Sequence, residues 1–429
     1  MRRSLALGLL VGLVAFATGC PAAKQPTTTP PKGKSYSEYL NGNNKKPTRP
    51  PDTNDRNSMV LHSIDIGQGA ATLLEFPCGA VLVDTGGEKN AAFNSTPRLK
   101  AYLDRFFARR KDLDKTIDLL VVTHPHIDHT RGIDMVLHNY TVHNIIDNGT
   151  HEDTRGGRPQ NAMHAWIAKH HGKVGHRDIR AADIDGRTGM TGPIIDPVSG
   201  CGRSAVDPQI TALWGAETRD LASYGTNPNL HSIALRVDFG KASILITGDL
   251  EYAGISRLVK YTKPSLLDVD VYMVGHHGSK NGTTKYLMEE MTPQLAIISV
   301  GPYNRRFPWT ARVFGHPHQK AVRHLVNYRY GVSRQRKPIT VMVGVRGAWK
   351  DEKREIFREM RIKKAVYATG WDGNIDVRLN RNGWIDIKTH QTHKTPPVAK
   401  TPPPAKTPPA AKTAPAAKTA PAAKTAPAH

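Results

Sequence analysis

Apolar residues gather in short runs between Met59 and Val300 and thin out at both ends of the chain. Met59–Ile66, Ala71–Phe76 and Ala80–Val83 are rich in Val, Leu and Ile and separated by Gly or Pro, which predicts three consecutive strands. Thr96-Pro97 then supplies a helix start, and Leu99, Tyr102, Leu103, Phe106 and Phe107 fall on one face of the helix that follows. Ile117–Val122 reads as a buried strand running into His124. A second helix is expected over 160–171, with Met163, Trp166 and Ile167 inward, and the Gly- and Asp-rich stretch 172–206 as a long surface excursion. Strands resume at Ile210–Trp214, His231–Phe239, Ala242–Thr247 and Val269–Val274, before a helix at about Thr283–Met291 and a strand at Leu295–Val300. This mixture predicts an α/β sandwich that carries its chemistry at strand ends.

The ends follow other rules. Residues 1–20 place Arg2 and Arg3 before an apolar run from Leu5 to Ala17 and close on Ala17-Thr18-Gly19-Cys20, the form of an export signal. As a helix that run rises only about 20 Å, short of the roughly 30 Å hydrocarbon core. The closing four residues are similar to a lipobox, which implies lipidation of Cys20, a membrane anchor, and an extracytoplasmic place in a bacterial cell envelope. Residues 21–57 read as a disordered tether. The tail 391–429, with six Lys/Thr/Pro/Ala hexapeptides from Lys394, reads as an extended polyproline-type segment. It serves either as a solvated spacer or as a loose grip on an anionic envelope polymer. One folded domain over 58–390 remains.

Composition sharpens this picture in two ways. Of the net charge of +23, about +11 stays on residues 58–393 once both ends are set aside, so the folded part suits a polyanionic partner such as nucleic acid. Three cysteines, with no C-x-x-C pair, exclude a disulfide scaffold and a thiolate zinc site. Cys78 and Cys201 either pair or stand as separate buried thiols. A hydrophobic share of 38% excludes a polytopic membrane protein, and no feature marks a protein partner.

The densest chemistry is His124-Pro125-His126-Ile127-Asp128-His129, directly after an apolar strand. Three imidazoles and a carboxylate in six residues are too costly to desolvate in a core, but on a loop they can converge on cations. A hairpin turning at Gly240 sets His231 opposite Asp249 in Ile246-Thr247-Gly248-Asp249, and Val269–Val274 empties into Gly275-His276-His277-Gly278-Ser279. Ligands leaving three strand ends of one sheet predict a two-metal site. His62, His138, His151, His164, His170, His171 and His176 read as surface histidines.

These residues resemble the metallo-β-lactamase superfamily: H-x-H-x-D-H, Asp84 in Leu82-Val83-Asp84-Thr85-Gly86, Gly248-Asp249 and His276. The resemblance is closer still to the C-terminal metallo-hydrolase domain of ComEC competence proteins, through Asp65-Ile66-Gly67-Gln68-Gly69, Thr123–Asp128, Gly275–Ser279 and Gly315-His316-Pro317-His318. The ComEC channel part has no counterpart in this sequence. The resemblance implies an αββα sandwich with two divalent metal ions, zinc or else manganese or iron. It places His124, His126 and His231 on one ion, with Asn229 competing for the place of His231. Asp128, His129 and His276 take the other, with His277 competing for the place of His276, and Asp249 bridges. Asp84 and Asp65 support the site. His277 is otherwise a substrate contact or proton donor, and His316 and His318 either line the cleft or cap a helix.

The function expected is metal-dependent hydrolysis by a metal-bridging hydroxide, with Asp128, Asp249 and His277 at the reacting centre and a phosphodiester or nucleic acid outside the cytoplasm as substrate. Alternatives are a β-lactamase-like or phosphocholine-esterase-like hydrolase and a non-catalytic surface-binding lipoprotein. The complete ligand set argues against the last.

Overall fold

The computed structural model describes residues 57–390 apart from 203–205, 220, 304–308 and 347–355. The expected signal with Cys20, the tether up to residue 56 and the repeat tail lie outside the described residues.

The chain opens with β1 (Ser58–Ser63), β2 (Thr72–Phe76) and β3 (Gly79–Val83), paired antiparallel in that order. Helix α1 (Ser95–Arg109) starts two residues before the Thr-Pro pair alone suggests, because the Asn94 side chain caps it by accepting from the Thr96 amide. It buries Leu99, Leu103, Phe106 and Phe107. Strands β4 (Thr116–Val121), β5 (Thr141–Asp147) and β6 (Gly175–Asp178) then extend the sheet in parallel, with helix α2 (Gly157–Lys169) between β5 and β6.

A second sheet starts with β7 (Gln209–Trp214), β8 (Ala234–Phe239) and β9 (Ala242–Ile246), antiparallel to one another. It continues in parallel through β10 (Val271–Met273) and β11 (Leu295–Ile298), which follow helices α3 (Tyr252–Tyr261) and α4 (Lys285–Met291) respectively. Beyond helix α5 (Gln319–Leu325), a two-stranded ribbon forms from β12 (Gln335–Gly344) and β13 (Phe357–Lys364). Strand β14 (Val366–Ala368) joins the second sheet beside β11, while β15 (Asn374–Asn380) returns to pair with β1 and β16 (Ile385–His390) with β15.

Three apolar layers follow. Between the sheets lie Leu61, Phe76, Val121, Phe239, Ile244 and Ile297, all under 2% exposed. Leu99, Leu103 and Met163 seal the helical side of the first sheet, and Leu258, Leu287 and Leu325 that of the second. The architecture is the expected αββα sandwich. In both sheets the parallel strands end on one edge, where open α/β sheets bind their ligands.

Two expectations change. The stretch 172–206 is not wholly a surface excursion: it contributes β6, and Ile179, Ile195 and Val198 enter the core between the sheets. Cys201 within it forms a disulfide with Cys78 on the β2–β3 turn, across 123 residues of sequence. Nor do all the histidines assigned to the surface lie there.

His62, 6% exposed, stands between carboxylates, with Nδ1 2.8 Å from Asp376 and Nε2 3.1 Å from Glu75. Burial opposes its charge, but the bonds to Asp376 and Glu75 outweigh burial and raise its pKa. A group raised on folding stabilises fully below its unfolded pKa, about 6.5 for histidine, and loses that contribution as pH climbs through the folded value. The wild type should therefore exceed His62→Gln in urea midpoint most at about pH 6, with the gap closing as the pH rises above the ordinary histidine range. A pH-independent gap would show that the imidazolium contributes nothing.

Candidate metal centre

The turn His124–His129 is strapped down before any side chain is considered. Asp128 carbonyl accepts from the Ala70 amide at 3.0 Å, and His129 carbonyl from the Thr85 amide at 2.8 Å. Gly86 must be glycine, because a Cβ there would sit 1.9 Å from the Asp128 carbonyl carbon. The Gly67–Gly69 and Thr85–Gly87 turns thus act as backbone straps. Asp65 holds the first, its Oδ1 accepting from the Gly67 amide at 3.4 Å while its own amide donates to Asn374.

Hydrogen bonds then choose which nitrogen of each ring faces inward. Asp84 accepts from the Thr123 amide at 2.8 Å, from the Thr123 hydroxyl at 2.9 Å and from His129 Nδ1 at 2.7 Å. With its proton on Asp84, Thr123 Oγ1 accepts from His124 Nδ1 at 3.1 Å. His277 Nδ1 donates to the Ser299 carbonyl at 2.8 Å. Each ring is left presenting Nε2 to a common centre.

There the contacts are close. His129 Nε2 and His277 Nε2 are 3.2 Å apart, and His124 Nε2 lies 3.1 Å from His126 Nδ1. Asp249, its amide held by Ser232 Oγ, places Oδ1 3.2 Å from His129 Nε2, and Oδ2 3.4 Å from His277 and 3.9 Å from His124. Asp128 Oδ2 is 3.3 Å from His277. Two sets, His124–His129–Asp249 and Asp128–His129–His277, hold their donor atoms within 4.8 Å.

Two lone pairs facing each other across 3.2 Å repel unless positive charge stands between them. Without a metal that charge is protonic. Burial opposes it, yet Asp249 and Asp84 raise His129 well above the ordinary histidine value, and Asp249 with Asp128 pushes His277 up to about 10. Burial favours a neutral Asp249, but His277 and His129 hold it ionised. His124 is driven down by burial and by His129, so its ring is neutral. Imidazole and carboxylate donors without thiolate suit zinc, manganese or iron. Nitrogens bound at about 2.0–2.1 Å in a tetrahedron stand roughly 3.3 Å apart, near the spacing found here. The residues therefore fit divalent cations.

The structure does not bring two of the expected ligands into the cluster. His231 turns away: its Nδ1 accepts from the Glu217 amide at 3.2 Å and its Nε2 donates to the Gly225 carbonyl at 3.0 Å. The β8–β9 register that set it opposite Asp249 holds only as far as Leu235, because Asn227-Pro228 starts a short 3-10 turn through His231. His276 is displaced from the second set by His277. Both residues adopt left-handed backbone (φ 50° and 52°), a roughly 1–3 kcal/mol strain each that rotates His277 inward. His276 instead sits on the rim, with Nε2 3.8 Å from Asp249 and 3.4 Å from Asn229 Nδ2, and Nδ1 3.6 Å from Glu251. His316 lines the same side, its Nδ1 3.2 Å from Gln68 Nε2, whereas His318 caps α5 through the Lys320 amide.

Sequence reading missed the orienting roles of Thr123, Ser232 and Ser299 toward the ligands, and that of Gln68 toward His316. Thr123 and Gln68 stood inside motifs already singled out and Ser299 at a strand end; Ser232 carried no local signal.

Residues 64–209 match the family described as the metallo-beta-lactamase superfamily, and the chain carries a metallo-β-lactamase fold, a fold of metal-dependent hydrolases. Over part of its length it is similar to competence-related proteins. It is 28% identical over 282 residues to ComE operon protein 3 of Bacillus subtilis, covering 63% of this chain and 31% of that one. It is 26% identical over 273 residues to Recombination protein 2 of Haemophilus influenzae, covering 63% and 27%. The chain thus spans under a third of the length of these relatives. Among solved structures, CmlA, a diiron beta-hydroxylase from Streptomyces venezuelae, has a TM-score of 0.35 at 14% identity, covering 73% of this chain and 55% of that one.

Removing the orienting carboxylate should weaken the centre without touching a ligand. Asp84→Ala is expected to lower metal affinity about 10–100-fold, as loss of such a partner does elsewhere. His277→Ala should lose bound metal while His276→Ala keeps it, read by elemental analysis of dialysed protein. The reverse order would return His276 to the ligand set.

Proposed function

We propose that the chain is a hydrolase of phosphodiesters, acting outside the cytoplasm, tethered through a lipid on Cys20, with a polynucleotide as the leading substrate. The observation that carries this reading is the convergence of three imidazole Nε2 atoms and two carboxylates beside His276, His316, Asn229 and Glu251. Bound there, divalent cations would acidify a water and offset the negative charge that develops on an attacked phosphoryl group. The protein's own work is positional and protonic. Asp84, Thr123 and Ser299 fix the three rings, and Asp249 reaches both donor sets from the loop after β9.

The rim supplies the remaining chemistry. His276 is lowered below the usual histidine value by burial despite Asp249, so a neutral ring meets the substrate. Its Nδ1 is buried without a hydrogen bond, leaving one atom at which a proton can be taken or returned to a leaving oxygen. His316, lowered by burial and by His276, is a second neutral ring on that side. Excess positive charge on the folded part favours a polymer of phosphates, and the Haemophilus relative is named for recombination, a nucleic-acid process.

Asp249→Ala is expected to abolish cleavage of bis-p-nitrophenyl phosphate and of DNA, and chelator should do the same to the wild type. With the chain ended at about Thr392, DNA cleavage should fall steeply with salt while the small ester barely responds, since each neutralised phosphate releases counterions. Equal salt sensitivity would turn the reading toward small envelope esters such as phosphocholine derivatives. Cys20→Ser should leave activity intact and release the protein from membranes at high salt; retention there would remove the lipid anchor from the proposal.

A further inference from the structure

A second group of histidines gathers at the neighbouring strand end, outside the centre described above. Asp147 closes β5 and is fully buried. Its Oδ1 is taken by the Gly149 amide at 2.6 Å and the Gln160 side-chain amide at 3.3 Å. Its Oδ2 faces two imidazoles, His176 Nε2 at 2.7 Å from β6 and His164 Nε2 at 3.1 Å from α2. The three donor atoms lie within 4.8 Å of one another. Two further donors flank them: Asp178 Oδ1 is 3.6 Å from His176 Nε2, and the His151 ring centroid is 4.6 Å from that of His164.

The chemistry matches that of a cation site. A carboxylate with no exposure is costly to bury without positive charge beside it. Around Asp147 the partners are two imidazole nitrogens on Oδ2 and two amide donors on Oδ1. The donors come from β5, β6 and α2, separated by as many as 29 residues, so local sequence does not force them together. Partial exposure of His164 and His176, at 14% and 26%, leaves a route for an ion to enter.

We propose that Asp147, His164 and His176 form a separate binding site for one divalent transition-metal cation of the zinc type, with a structural role. The site would tie β5, β6 and α2 together and fix the segment 148–157. That segment leans on the metal centre: Gly156 carbonyl accepts from Thr130 Oγ1 at 2.7 Å, and a Cβ on Gly156 would lie 2.3 Å from the Pro125 carbonyl oxygen. Asn148 reaches the His231 carbonyl from the same segment. Filling the second site would stiffen the wall beside His126 without a ligand shared between the two.

Zinc saturation of the full chain, followed by desalting and elemental analysis, tests this by difference. The wild type should retain about one ion more than the His164→Ala/His176→Ala double variant, whatever the principal centre holds. Asp249→Ala should keep that additional ion, which separates failure of this site from failure of the principal one. Equal ion content in the wild type and a folded double variant, checked by circular dichroism, would overturn the proposal and leave a hydrogen-bonded His–Asp–His cluster. Should the double variant fail to fold, zinc-edge anomalous diffraction from zinc-saturated wild-type crystals decides. A peak between Asp147, His164 and His176 supports the site, and its absence overturns it.

Discussion

A neutral imidazole offers a cation a single lone pair, and the hydrogen bond made by its other nitrogen decides where that lone pair points. Asp84 makes that choice for His129 directly and for His124 through the Thr123 hydroxyl. The Ser299 carbonyl makes it for His277. Asp84 sits just past β3 in left-handed backbone (φ 59°), and Ser299 just past β11, so each sheet contributes one orienting acceptor. The sandwich is therefore what makes the centre: sliding one sheet against the other would turn one set of lone pairs away from the other.

The straps explain why the first sheet carries so many small residues near its edge. Backbone, not side chains, holds the ligand turn, and backbone can approach backbone this closely only where no Cβ intervenes, as at Gly86. The second sheet uses strain instead, spending two successive left-handed residues to aim His277. Both devices position ligands through φ and ψ.

Legibility in the sequence followed the same division. The His124–His129 turn and Asp249 stood out because polar residues crowd the ends of apolar strands. The first three strands and both early helices were readable from period and caps. His231 misled because strand register was carried past Leu235, although the 3-10 turn begun at Asn227-Pro228 delays the start of the strand. The choice between His276 and His277 depends on two dihedral angles that composition does not encode. Strand β15 was readable in principle, since Ile375, Val377 and Leu379 alternate with polar residues. The ribbon β12–β13 was not, because Arg and Lys are mixed into both strands and Glu359 into the second. Asp147 gave no sign of burial, because its partners come from other elements.

The bond between Cys78 and Cys201 has a bearing on metal traffic. The covalent ring it closes contains His124, His126, Asp128 and His129, as well as Asp147, His164 and His176. Thiolates are soft ligands that compete strongly for zinc, above all in a chain that has not finished folding. Once Cys78 and Cys201 are joined, neither sulfur can capture an ion meant for an imidazole. Oxidation before metallation would thus take both thiolates out of the competition for zinc.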